Sequence, residues 1–168
     1  MQRRMNADEL DHFYRRIGAA IWHVQYLEDV LVSFLAMKIL TPERSSVQNI
    51  TGAEIQELLA QKRKLTLGPL IQACQSQGII AATVANRFET FKNDRHWLVH
   101  RSVVESGDDL FNEAKREIVF QRIFSVQEEA IALKQLIAID LEAWLRTQGV
   151  DVKQAAEQGE ASRKLSGM

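Results

Sequence analysis

From Phe13 onward, apolar residues recur at alternating steps of four and three through Ile17, Ala20, Val24, Leu27, Leu31 and Phe34. That spacing keeps side chains on one continuous face of an α-helix. Leu10, Ile21 and Leu35 add a second row, which makes the apolar face wider than a two-helix seam needs and suits a core-facing helix of a bundle. Asn6 with Glu9 three residues later reads as a capping box that opens this helix. Thr41-Pro42 reads as its end, because the residue before proline is pushed out of the helical region.

The remaining pattern predicts three more helices. Thr51-Gly-Ala-Glu54 is a second capping box, followed by Ile55, Leu58 and Leu59. Gly68-Pro69 is expected to kink or divide that helix, and Leu70, Ile71 and Cys74 carry it on to a stop near Gly78. A third helix is expected from about Ile79 to Arg101, with Ile80, Val84, Phe88, Phe91 and Leu98 on one face. Between Ser102 and Gln121 the period is lost. Gly107-Asp108-Asp109 reads as a turn, and a short hairpin is an option there, with Val103 and Val104 facing the alternating Ile118 and Phe120. Ser125 with Glu128 forms a further capping box, and Val126, Ala130, Leu133, Ile137, Leu141 and Trp144 mark a last helix ending before Gly149.

These elements predict an all-α, up-and-down bundle of four to five helices, with residues 1–148 forming one domain and residues 149–168 a polar, flexible tail. The bulk numbers agree: 168 residues suit one compact domain, and 46% hydrophobic against 26% charged residues is an ordinary globular balance. The net charge of −1 gives no global field to recruit nucleic acid, so any such surface must be local. Cys74 is the sole cysteine and can form neither an internal disulfide nor a cysteine-based zinc site, which fits a reduced cytoplasm. Met1–Leu10 lacks the apolar run of a signal peptide. The most apolar stretch, Ile17–Leu40, is interrupted by His23, Gln25, Glu28, Asp29 and Lys38, so no membrane segment is expected.

The residues with chemistry in them collect at the end of the third helix, in Phe91-Lys-Asn-Asp-Arg-His-Trp-Leu-Val-His-Arg101. Here the chain resembles the HEPN family, small helical bundles that carry an arginine, four to six intervening residues and a histidine near the end of a long helix, commonly with a polar residue after the arginine. The matching residues are Arg95, His96 and His100. The resemblance implies metal-independent cleavage of RNA at a site shared by two protomers, often in a toxin or a defence system, with no cofactor. It makes Arg95 and His100 the expected catalytic pair, a homodimer the expected assembly, RNA the expected substrate, and an antitoxin or other regulatory protein an expected partner. Toxins of the family paired with a minimal nucleotidyltransferase antitoxin often carry a tyrosine two residues after the motif histidine. Ser102 stands there in this chain, so silencing through that tyrosine is not expected.

Those residue types suit the chemistry. Cleavage of RNA by its own 2′-hydroxyl needs proton transfer and stabilisation of added charge on the phosphate. Histidine can move the proton, and the permanently charged, planar guanidinium offers paired donors to phosphate oxygens. A position at a helix C-terminus would favour the imidazolium of His100 and a general-acid role. His96, Asn93, Arg101 and Lys92 are the expected substrate contacts around the pair, with Arg87 adding positive charge against Glu89 and Asp94.

Other readings stand beside this one. Residues five apart on a regular helix point about 140° away from each other, so Arg95 and His100 can meet only if the helix unwinds or Arg95 reaches round to a partner. Arg95 also suits a bundle salt bridge to Glu28 or Asp140, and His100 a C-terminal cap. Trp97 is expected in the core or in a dimer interface. His96 and His100 lie one turn apart and can chelate a metal, yet no third ligand is evident, so no metal site is expected. A non-catalytic dimerisation or docking module is the other class of function the pattern allows. Lys62-Arg63-Lys64 is a basic run that suits either RNA contact or a solvated surface.

Overall fold

In the computed structural model, which describes residues 3–152, five principal helices surround one apolar core: α1 (Ala7–Arg44), α2 (Gly52–Lys62), α3 (Leu67–Ser76), α4 (Ala85–His96) and α5 (Glu113–Thr147). A π-helical turn (Trp97–Arg101) and a short helical run (Ser102–Ser106) continue α4. Both expected capping boxes are formed: Asn6 Oδ1 accepts from the Glu9 N–H at 2.9 Å, and Thr51 Oγ1 accepts from the Glu54 N–H at 3.3 Å.

Cross-helix pairs give the chain direction. Arg44 meets Glu54 and Asp29 meets Arg63, so α2 runs back along α1. Arg87 meets Glu129 and Asp94 meets Arg122, so α4 and α5 are antiparallel. Phe13 stacks on Phe120 and Phe34 lies against Trp144, so the two longest helices, α1 and α5, run parallel. The core they enclose includes Leu27, Leu31, Leu35, Leu70, Ile71, Phe88, Phe91, Ile123, Leu133 and Ile137, each at most 1% exposed. The apolar row read along the first helix is the α1 side of this core. At roughly 1.5–3 kcal/mol per fully buried large apolar side chain, this burial is the main term holding the bundle together.

Several expectations need correcting. The option of a hairpin through Val103, Val104, Ile118 and Phe120 fails, because both arms are helical. Val103 and Val104 sit in the run after the π turn, 83% and 85% exposed. The last helix is capped by Asn112 and not by Ser125: Asn112 Oδ1 accepts from the Ala114 and Lys115 N–H groups and launches it thirteen residues early. Ser125 lies inside the helix and donates to the Gln121 carbonyl. The first helix continues through Pro42 to Arg44. A proline in the last turn forfeits only one backbone bond, and burial of Leu40 and Thr41 holds the helix until Ser45 takes a left-handed φ of 62°. Gly68-Pro69 does mark a division, with Pro69 in the first turn of α3, where its missing N–H costs nothing. The third helix starts at Ala85, later than expected, after buried Ile79 and Ile80 and a 3₁₀ turn (Ala82–Val84).

At the far end of α5, Gly149 has φ 74°, the Val150 N–H returns to the Leu145 carbonyl and the Gly149 N–H to that of Arg146. This is the paired bonding of a Schellman stop. The rest of the expected tail, from residue 153 to 168, lies outside the described residues. No helix among the described residues is long and apolar enough to cross a membrane.

The N-terminal end is tied down by charge. Arg116, 5% exposed, reaches Glu9 at 3.0 Å and the Leu110 carbonyl at 2.9 Å, and Arg3 forks onto both Glu9 oxygens at 2.6 Å. The Arg3 hydrogen bond, helped by the Asn6 N–H, holds the Glu9 carboxyl down at about 2.

Candidate active site

The helix that carries the motif changes its winding inside it. The Ser102 N–H bonds the Trp97 carbonyl, five residues back, in the π turn. A wider turn brings residue i+5 closer to the face of residue i, which narrows the separation of about 140° that a regular helix would impose. Arg95 Nη1 therefore stands 3.5 Å from His100 Nε2 within one chain. Burial explains the winding: Trp97 and Leu98, neighbours in sequence, are both 3% exposed, while Val99 and His100 face outward. Arg122 of α5 lays its guanidinium 3.8 Å from the centre of the Trp97 ring and fixes that side chain from above.

Arg95 serves two partners. Its Nε donates to Glu28 Oε1 of α1 at 3.2 Å, and the two side chains are 27% and 26% exposed. The bundle salt bridge weighed from sequence is thus present, and Glu28, not Asp140, is its acceptor. That bond consumes one of the five guanidinium donors and sets the plane of the group. Nη1 and Nη2 remain for His100 and for solvent or an anion.

The contact also constrains His100. A guanidinium can only donate, so the contact is a hydrogen bond only in the tautomer that leaves Nε2 without a proton. The helical path continues past His100 to Ser106, so the expected stabilisation of an imidazolium by a helix terminus has no basis here. His96, also exposed, has its ring centre 5.1 Å from that of His100.

The other expected contacts divide. Asn93 is exposed and its side chain makes no hydrogen bond, so its amide is open to a ligand. Lys92 is paired with Glu89, and Arg101 donates to Glu105 at 2.6 Å. Arg87 forks onto Glu129 and Asp94 is met by Arg122. The excess positive charge counted along the sequence is therefore largely answered by carboxylates, two of them, Glu105 and Glu129, from segments that the local count left out. Among the described residues, no three histidine, cysteine, aspartate or glutamate side chains are grouped to hold a metal ion.

Two residues that matter to the site gave little sign of it in sequence. Glu28 was visible as one of two possible salt-bridge acceptors for Arg95, not as part of a site, and Arg122 as one more charge on a helix surface. Compared with protein-family models, with curated proteins and with solved structures, the chain matches none.

Proposed function

We propose that this protein is a HEPN-type, metal-independent endoribonuclease of a toxin or defence system, working as a homodimer in the cytoplasm. The observation that carries this reading is the Arg95–His100 contact at the π turn, 3.5 Å between Nη1 and Nε2, on a surface open to a polymer. Arg95 binds a non-bridging phosphate oxygen through its free Nη donors while Glu28 holds its Nε. Drawing Arg95 Nη1 onto the phosphate frees the one lone pair of His100 Nε2, which accepts the proton of the adjacent 2′-hydroxyl; the 2′-oxygen attacks phosphorus, and the bond to the 5′-oxygen breaks. The leaving oxygen takes its proton from His96 or from the second protomer's motif. The products carry a 2′,3′-cyclic phosphate and a 5′-hydroxyl. His96, Asn93, Arg101 and Lys92 border the strand, the last two after releasing their own carboxylates.

A non-catalytic dimerisation module is the second reading. The Arg95–Glu28 salt bridge supports it, since an arginine so held has a structural reason to exist, and so do the bare Val103 and Val104 beside it.

The two separate on incubation of total RNA in EDTA with wild type, Arg95→Ala and His100→Ala, after circular dichroism confirms all three folded. Cleavage by wild type alone supports the nuclease. Absence of cleavage by wild type supports the module, and equal cleavage by all three rejects this site.

A further inference from the structure

Adjacent carboxylates on α1 hold arginines from two different helical segments. Glu28 takes Arg95 from α4, and Asp29 takes Arg63 from the turn between α2 and α3, with Nη2 at 2.8 Å and Nε at 3.1 Å. A cavity of about 200 Å³ lies alongside, lined by Gln25, Glu28, Val32, Leu65 and Leu70 together with the Asp29–Arg63 pair. Its apolar walls, Val32 and Leu70, are buried, and Leu65 is partly open to solvent. The space is smaller than the ~300–1,000 Å³ of pockets for drug-sized ligands and fits one planar ring system with polar groups at its edge.

The cavity lining is balanced in charge, but the end of α2 and the turn after it carry two further cations that flank Arg63 in sequence. Arg63 and Arg95 offset Asp29 and Glu28, whereas Lys62 and Lys64 have no carboxylate within ion-pair distance among the described residues. The first turn of α3 lies against the stem of Lys92, since a Cβ on Gly68 would stand 3.7 Å from its Cδ. The start of α3 at Gly68, four residues beyond Lys64, is therefore beside the motif helix, while Arg63 ties the basic turn to α1.

We infer that the groove between α1 and the α2–α3 turn holds single-stranded RNA leading away from Arg95, with one base in the cavity beside Glu28 and backbone phosphates on Lys62 and Lys64. The inference rests on the nuclease reading for its starting point, the phosphate at Arg95. A single strand is favoured because extruding a paired base into the cavity costs the energy of unstacking and unpairing it, whereas an unpaired base can be splayed out. Apolar contact with Val32, Leu65 and Leu70 and edge contacts to Gln25 and Glu28 would then add to the phosphate term.

The test uses full-length protein carrying His100→Ala, so that the probe stays intact, and a fluorescein-labelled single-stranded RNA of 20 mixed-sequence nucleotides in EDTA. Affinity is read by anisotropy across a salt series. Adding Lys62→Ala and Lys64→Ala is expected to weaken binding and to reduce the slope of log affinity against log salt by about 1.4, two contacts at ~0.7 each for single strands. Gln25→Trp, which crowds the cavity from an exposed position, is expected to weaken binding with the slope unchanged. An unchanged slope in the double lysine variant, or no binding of the probe at all, overturns the inference. If the slope falls but wild type cleaves nothing in EDTA, this surface stands and the nuclease reading fails. If cleavage persists while the slope is unchanged, the reverse holds.

Discussion

Glu28 and Arg95 meet across the α1–α4 seam, 3.2 Å between Oε1 and Nε, and the same guanidinium points Nη1 at His100. The salt bridge thereby fixes the orientation of the group that faces the histidine. A structural reading and a catalytic reading of Arg95 do not compete on geometry, because they use different nitrogens.

Glu28 is on this view a positioning residue. Glu28→Gln keeps the shape and a weaker acceptor, and is expected to lower the single-turnover cleavage rate by about ten-fold, roughly 1.4 kcal/mol of lost orientation. Its melting temperature should fall only slightly, since a partly exposed pair contributes about 0–1 kcal/mol. A rate unchanged from wild type would detach Glu28 from the site.

Acid should loosen the starts of α1 and α2. The Glu9 carboxyl is held at about 2 by Arg3 and Asn6, and Glu54 at about 2 by the Thr51 cap and Arg44. Both are lowered from about 4.5, so their stabilisation is present above pH 4.5 and is lost as pH falls from there towards 2. Denaturant unfolding at pH 7, 4 and 3 should show this decline. Glu9→Gln together with Glu54→Gln should be less stable at pH 7 and flatter across the series.

Trp97 carries packing without a hydrogen bond, for its buried Nε1 has no partner. Trp97→Phe should cost about 1 kcal/mol, while Trp97→Ala should cost about 3–5 kcal/mol, as large core truncations do. Equal losses in the two variants, measured by chemical denaturation, would contradict a packing role that a phenyl ring can largely fill.

Burial alone pushes the Cys74 thiol up to about 12, and its Sγ–H lies 3.8 Å from the Leu31 carbonyl. A disulfide reagent at pH 8 should leave Cys74 unmodified in the folded protein and react fully in denaturant. Rapid reaction under native conditions would mean that α3 opens from α1.

Val103 and Val104 are bare apolar side chains beside the motif. If the site is shared by two protomers across this end, Val103→Asp with Val104→Asp should lower the mass in light scattering from twice the 19.2 kDa chain to a single chain. Stability of the exposed positions should change by less than about 0.5 kcal/mol. A dimer that survives the double substitution places the interface elsewhere.

Much of the fold was legible because periodicity and capping are local. The row from Phe13 to Phe34, the Asn6 and Thr51 boxes and the stops at Gly78 and Gly149 needed no knowledge of distant neighbours. The errors arose where packing overruled local preference, as when burial of Leu40 and Thr41 carried α1 through Pro42. They also arose where two caps competed, as at Asn112 and Ser125. At the site, Arg95, His96 and His100 could be selected from sequence, but the π turn that joins them could not. It follows from burying Trp97 and Leu98 together, and the stacking partner of Trp97 is Arg122 on another helix.

The most direct test of the central claim is the chemistry of the ends left on RNA. Wild type in EDTA should produce fragments with 2′,3′-cyclic phosphate and 5′-hydroxyl termini, absent when His100→Ala replaces it. Fragments ending in 5′-phosphate, or the same fragments from His100→Ala, would contradict a cleavage site built on Arg95 and His100.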